Sequence, residues 1–185
     1  LRQSGQLENT LVVFTSDNGP AEDNQPDAGF TPFRGAKGTT WEGGVRVPGI
    51  AYWPGTIKAG RVSDGLFDLM DLFNSSLALA GVHDKIAPDR YIDGIDQNSF
   101  LLTDNGQSRR QMVYMYADSR FASVRFHEFK LHLMAQAVQN PFGAIGNTMT
   151  GSTGLAPWVY NLYSDPKEQE AVGARAITNG CFRGP

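Results

Sequence analysis

Leu11-Val12-Val13-Phe14-Thr15-Ser16-Asp17-Asn18-Gly19-Pro20 is the stretch on which the reading of this chain turns. Leu11 to Phe14 is an unbroken apolar run rich in β-formers. That pattern fits a central strand of a mostly parallel sheet, covered on both faces. Asp17-Asn18-Gly19-Pro20 stops it, because Asn-Gly and Gly-Pro are turn pairs and Asp and Asn side chains bond nearby backbone. Asp17 and Asn18 are therefore expected just past the carboxyl end of a core strand, where ligands bind in open α/β sheets.

Downstream lies Arg34-Gly35-Ala36-Lys37-Gly38-Thr39-Thr40-Trp41-Glu42-Gly43-Gly44, rich in glycine and poor in apolar matter. Burial alone would not hold such a segment, and it suits backbone passing close to a ligand. Residues 21–33 are rich in Asp, Asn, Gln, Pro and Gly and read as an exposed loop. Ile50 to Trp53 reads as a second buried strand, ended by Pro54-Gly55.

Ser63-Asp64 offers a helix N-cap. Leu66, Leu69, Met70, Phe73, Leu77 and Ala80 recur at helical spacing, and Gly81 closes the run. That apolar stripe is expected to pack on a sheet, with Asp68, Asp71 and Asn74 on the solvated side. Asn74-Ser75-Ser76 has the form of an N-glycosylation acceptor, but inside a helix it reads better as a solvated face. Tyr91 to Leu102 reads as a short strand or turn, and residues 103–110 as a polar linker. Met112 to Tyr116 alternates as a strand, and Phe121 to Leu133, split at His127-Glu128, as a tight hairpin. Residues 139–157 read as loop, Trp158 to Tyr163 as a short apolar run, and Asp165-Pro166-Lys167-Glu168 as the start of a helix or turn.

With 185 residues, 21 Gly and 10 Pro, the chain has room for a sizeable core and many loops. A net charge of −3 gives no electrostatic reason to expect nucleic acid or an anionic membrane as partner. No apolar run approaches the roughly 20 residues that span a bilayer. The single cysteine, Cys181, cannot form an internal disulfide and has no neighbours that make a reactive or metal motif. The chain starts at Leu1 and is expected to be a piece of something longer.

Asp17 and Asn18 offer hard oxygen donors, suited to Ca²⁺ or Mg²⁺ rather than zinc. Two adjacent donors do not complete a site, since Ca²⁺ takes about six to eight oxygens. Taken alone, Asp-Asn-Gly is most often just a turn. Lys37 in its glycine frame is a point charge that can face an anion, or a solvated loop lysine. His83, His127 and His132 are scattered, and a structural or exposed role is expected for them. No Walker loop, Gly-x-Ser-x-Gly, His-Glu-x-x-His or Cys-x-x-Cys is present.

VFTSDNGP (13–20), RGAKGTTWEGGVRVP (34–48), GIAYWPG (49–55) and FDLMDLFNSSLALAG (67–81) resemble the later part of the sulfatases, arylsulfatase-like members especially. YIDGID (91–96) resembles the segment closing that family's large domain. Residues 123–132 and 162–168 resemble its small C-terminal domain. KGTTWEGG is the most specific stretch.

The resemblance implies an α/β fold: the C-terminal part of an alkaline-phosphatase-like large domain over 1–108, then a small α+β domain with an antiparallel sheet over 109–185. It implies hydrolysis of aryl or carbohydrate sulfate esters with Ca²⁺, rather than Mg²⁺, and a formylglycine nucleophile. By the same resemblance Asp17 and Asn18 would be metal ligands, and Lys37 would contact the sulfate and act in catalysis. It also suggests a periplasmic, secreted or lysosomal location.

The signature Cys/Ser-x-Pro/Ala-x-Arg that yields formylglycine is absent from these residues: Cys181 precedes Phe182-Arg183, and Ser164-Asp165-Pro166-Lys167 meets Glu168 where Arg is required. The expectation is thus a C-terminal fragment, inactive alone, whose partners are a sulfate-ester substrate and the missing N-terminal part. The alternatives are a phosphoesterase or phosphonate hydrolase of the same superfamily, and a non-catalytic sulfatase-like binding module.

Overall fold

The computed structural model describes residues 1–21, 29–136, 149–152 and 157–172. The chain forms two compact units, residues 1–15 with 48–111 and residues 16–47 with the chain from 112 on. Residues 16–47, grouped above with the first domain, are thus part of the second unit.

In the first unit, β1 (Val12–Thr15) pairs antiparallel with β2 (Gly49–Tyr52), Val12 opposite Tyr52 and Thr15 opposite Gly49. The two strands stand where the apolar runs put them, but the parallel, fully covered arrangement is not what the described residues show. Phe14 and Ile50, opposite each other in the ladder, are 62% and 57% exposed. An apolar run carries no information on the direction of its partner strand, so the antiparallel return was not legible.

Helix α2 (Asp71–Leu79) starts later than Ser63-Asp64 would suggest. Its entry is local: Asp68 Oδ1 accepts the Met70 N–H at 3.1 Å, and Asp71 Oδ2 accepts the Asp68 N–H at 3.0 Å. Gly81 ends it in the left-handed conformation (φ 71°), as glycine after a helix commonly does. Within this chain, the face it buries is the reverse of the expected one. Asp71, Asn74 and Ser75 are buried, while Leu69, Met70 and Phe73 are exposed.

The reason is a set of polar partners brought from elsewhere in the chain. Asn74 Nδ2 donates to Gly94 O at 2.6 Å, and the Gln97 N–H donates to Ser75 Oγ at 2.9 Å. Arg110 grips the Asp71 carboxylate through Nε at 2.8 Å and a second guanidinium nitrogen. A buried Asn74 side chain is no glycan acceptor, and the solvated-face reading is also set aside. Residues 103–110 are likewise more than a linker. Arg109 N–H donates to Gln97 Oε1 at 3.1 Å, and Arg110 donates to Asp93 O at 2.9 Å. Within Tyr91 to Leu102 the structure has a short helix, α3 (Asn98–Leu102), rather than a strand. Arg61 lies over the Phe100 ring and donates to Phe100 O near the helix end and to Gly106 O at 3.0 Å. A cation there satisfies carbonyls that the helix leaves unpaired.

The second unit holds α1 (Glu42–Val45) and a four-stranded antiparallel sheet in the order β3-β4-β5-β8. Its strands are β3 (Met112–Ala117), β4 (Arg120–Phe126), β5 (Phe129–His132) and β8 (Trp158–Asn161). The expected hairpin is there: Phe126 pairs with Phe129 across His127-Glu128, and His127 takes φ 50°. Such positive φ is what a two-residue hairpin turn requires. β6 (Met134–Gln136) and β7 (Met149–Ser152) form a separate ribbon. The core of this unit is Trp41, Tyr160 and Leu162, with Trp158 and Ala171 against it.

Candidate functional site

The turn 16–20 and the loop 34–45 lie in the same unit and are joined through backbone. The Gly19 N–H donates to Gly44 O at 2.9 Å, and the Lys37 N–H donates to Pro20 O at 2.9 Å. The loop closes on itself as Gly43 N–H donates to Arg34 O at 2.7 Å and Thr39 Oγ1 to Ala36 O at 2.8 Å. A Cβ on Gly19 would stand 1.8 Å from Gly43 O, and one on Gly43 would stand 2.1 Å from Gly35 O. Glycine here lets backbone lie on backbone. That packing is a reason for the glycines that does not need a ligand, unlike the reading from composition.

The structure therefore brings the three expected site residues to one stitched segment. Asp17 and Lys37 are exposed, and Asn18 is half-buried. Ser16 Oγ donates to Asn18 O at 2.9 Å and tightens the turn that presents them.

Beneath the loop is a polar anchorage that the sequence reading missed. Trp41, fully buried, packs at a tilt of 31° against His132 with ring centroids 4.2 Å apart and meets Tyr160 edge-on at 5.9 Å. The Arg34 guanidinium covers the Trp41 ring, 3.7 Å from its centroid. Such cation–π contacts strengthen when desolvated. The buried Glu42 carboxylate takes Lys130 Nζ at 3.0 Å and Arg125 at 3.2 Å. Glu168, also buried, takes Lys130 Nζ at 3.2 Å and His132 Nε2 at 2.7 Å on one oxygen, and the Glu42 N–H at 2.7 Å on the other. Its carbonyl accepts from Arg34 at 2.7 Å. The only local signal was alternation: Lys130 and His132 are two apart on β5 and so share a face. Phe129 and Leu131 made the other face the natural one to bury, yet Lys130 and His132 are the fully buried pair.

Burial and neighbouring charge both act on the titration of His132 and Glu168. Burial pushes the His132 imidazole below its ordinary value; the Glu168 hydrogen bond acts the other way and does not overcome it, and Lys130 adds to the lowering. Burial alone would raise the Glu168 carboxyl, but the His132 hydrogen bond, the Lys130 charge and the Glu42 N–H together hold it low. These directions favour a neutral His132 beside an ionised Glu168, and in that state the 2.7 Å contact has Nε2 donating to Oε1. Its Nδ1 has no hydrogen-bond partner among the described residues. The structural role expected for His132 is what it has here. His127 sits in the β4–β5 turn and His83 in a separate 3₁₀ turn, His83–Lys85, of the other unit. Cys181 lies outside the described residues.

The oxygen donors expected for a metal are the Asp17 carboxylate and the Asn18 amide oxygen. Their chemistry fits a hard cation. Among the described residues no cluster of three or more His, Cys, Asp or Glu adds to them. The described helices include none long and apolar enough to cross a membrane.

Comparison with known proteins agrees along the chain. A family model described as "Sulfatase" matches residues 1–82, and one described as "Putative sulfatase AslA C-terminal domain" matches residues 122–181. N-acetylgalactosamine-6-sulfatase of Mus musculus is 38% identical over 185 residues, covering 91% of this chain and 35% of its own length. Arylsulfatase A of Homo sapiens is 36% identical over 174 residues, covering 89% of this chain and 33% of its own. The crystal structure of PsFucS1 sulfatase from Pseudoalteromonas sp. superposes with a TM-score of 0.88 at 51% identity, covering 97% of this chain and 36% of that one. The chain spans about a third of the length of these relatives. It matches the C-terminal portion of sulfatases, and its α/β character and antiparallel sheet agree with that.

Proposed function

We propose that this chain, whose sequence and fold match the C-terminal portion of sulfatases, works in a longer sulfatase that hydrolyses aryl or carbohydrate sulfate esters. Asp17 and Asn18 hold a divalent cation, Ca²⁺ in this reading, and Lys37 binds a sulfate oxygen. The observation that carries this is the backbone stitching of Gly19 to Gly44 and of Lys37 to Pro20, which fixes the Asp17-Asn18 turn against the loop bearing Lys37.

The chemistry follows from where charge develops. Cleavage of a sulfate ester leaves negative charge on the departing oxygen and on the sulfate oxygens. A fixed ammonium aimed at that charge lowers the barrier without reorganisation at the moment of reaction. Lys37 is supplied for this by a loop whose backbone is bonded on both sides. A cation held by Asp17 and Asn18 would, when bound, withdraw charge from the sulfate oxygens as a Lewis acid. The nucleophile and the remaining oxygen donors are assigned to the preceding part of the longer protein.

The test is hydrolysis of a chromogenic aryl sulfate and of a sulfated hexosamine by the longer protein, wild type against Lys37→Ala. Loss of one such charge-stabilising group costs about 10²–10³ in kcat. Unchanged kcat/KM in Lys37→Ala, on every sulfate ester the wild type turns over, overturns the role given to Lys37. Absence of turnover by the wild type on both, with turnover of a phosphate ester instead, overturns the sulfatase reading.

A further inference from the structure

We infer that Glu168 is a positioning residue for the Lys37 loop, acting from the turn that follows β8; this rests on the role proposed above for Lys37. Glu168 holds both stems of that loop at once. Its carbonyl accepts from the Arg34 guanidinium at 2.7 Å, at the start of the loop. Its carboxylate Oε2 accepts the Glu42 backbone N–H at 2.7 Å, where the loop passes into α1. Lys37 lies between these two points, and its own N–H is fixed on Pro20 O.

The clamp is built rather than incidental. Glu168 is fully buried and takes a left-handed backbone (φ 51°), uncommon for a residue with a side chain. The Glu168 N–H donates to Asp165 O at 3.1 Å, and Asp165 Oδ2 accepts the N–H groups of Gln169 at 2.7 Å and Glu170 at 2.9 Å. The turn Asp165-Pro166-Lys167-Glu168 is thereby fixed around the strained residue. Lys130 and His132 pin the other carboxylate oxygen from β5. Lys130 also binds Glu42, so the sheet, the turn and the loop stem share one ammonium. Backbone strain survives only where the surroundings over-determine it. Here those surroundings converge on the two stems of a single loop. Displacing a catalytic group by about 1 Å through a distant change costs on the order of 10²-fold in rate.

The experiment is a double-mutant cycle in the longer protein with Glu168→Gln, Lys37→Ala and the pair, read as kcat and KM, with hydrogen exchange of the Gly43, Gly19 and Lys37 amides. Arg34→Gln runs in parallel and stands in where Glu168→Gln fails to fold. The expected result is a kcat about 10- to 100-fold lower for Glu168→Gln, KM little changed, and no further loss when it is added to Lys37→Ala. Those three amides exchange faster while amides of the β3–β4 ladder keep their protection. An equal loss in both backgrounds, or faster exchange throughout the sheet, makes Glu168 merely structural and overturns the inference. Unchanged exchange of the loop amides also overturns it. Unchanged kcat/KM in Lys37→Ala overturns the role of Lys37 instead, and the exchange data then still decide whether Glu168 holds the loop.

Discussion

Arg110 binds the fully buried carboxylate of Asp71 with two guanidinium nitrogens, and the same carboxylate accepts the backbone N–H of Ile95 at 2.8 Å. A single aspartate in the first turn of α2 thus holds the segment before α3 and the end of the first unit together.

That arrangement predicts an acid-sensitive unit. Burial would raise the Asp71 carboxyl, but hydrogen bonds from Arg110 and from the Asp68 and Ile95 N–H groups, with the Arg110 charge, hold it below the ordinary value. A carboxyl depressed in the folded state contributes stability that is present above its unfolded value and is lost as pH falls through the folded one. Asp71→Asn should flatten the acid limb of a stability–pH curve. Arg110→Leu, which leaves the carboxylate buried without its cation, should cost about 3–5 kcal/mol at neutral pH. Thermal unfolding from pH 7 down to acid reads both, and an unchanged acid limb in Asp71→Asn would sink the account.

His132 predicts a second pH effect with its own window. Its folded value is depressed by burial, so the unfolded chain binds the proton more readily. Stability should fall as pH drops from the ordinary imidazole value, about 6.5, toward the lower folded one. His132→Phe keeps a ring beneath Trp41 and removes the titration, so it should lose that part of the pH dependence. It leaves Glu168 with Lys130 and the Glu42 N–H and one donor fewer, at a cost of about 1–3 kcal/mol. An NMR titration showing His132 protonated at neutral pH would contradict the neutral assignment.

Gly19 should not tolerate a side chain. An alanine Cβ there meets the Gly43 carbonyl, which is backbone and has nowhere to move cheaply. Gly19→Ala should cost about 1–3 kcal/mol and release the turn from the loop. In the longer protein it should lower turnover more than it lowers the melting temperature would explain. Wild-type kcat/KM in Gly19→Ala would mean that the turn–loop stitching has no part in the reaction.

Metal binding by Asp17 and Asn18 predicts a stability linkage. A cation that binds only the folded protein adds about 2.7 kcal/mol at a hundredfold excess over its Kd. Ca²⁺ should raise the melting temperature of the longer protein, a chelator should reverse the rise, and Asp17→Ala should abolish it. An equal Ca²⁺ shift in Asp17→Ala would remove Asp17 from the ligand set.

Much of this was legible in the residues. The Leu11–Phe14 run, the stop at Asp17-Asn18-Gly19-Pro20, the hairpin across His127-Glu128 and the glycine end of α2 all rest on local backbone preference, which the sequence carries directly. The candidate residues were singled out as residue types: two oxygen donors after a strand, and a lysine in a glycine frame. The structure then joined these two segments through Gly19–Gly44 and Lys37–Pro20 bonds.

What only the tertiary structure decided is which face goes inside. Periodicity gives the period of an element; the phase depends on what stands opposite. On α2 the apolar stripe looked like the buried side, yet Asp71, Asn74 and Ser75 are inside because Arg110, Gly94 and Gln97 meet their polar atoms. On β5 the buried side is Lys130 and His132, because Glu42 and Glu168 stand across from them. A polar group is buried at low cost only when its partner arrives with it. Those partners come from sequence positions far apart, 126 residues for Glu42 and Glu168 and 134 for Arg34 and Glu168. The chain written out names every one of these groups, and folding alone brings each to its counterpart.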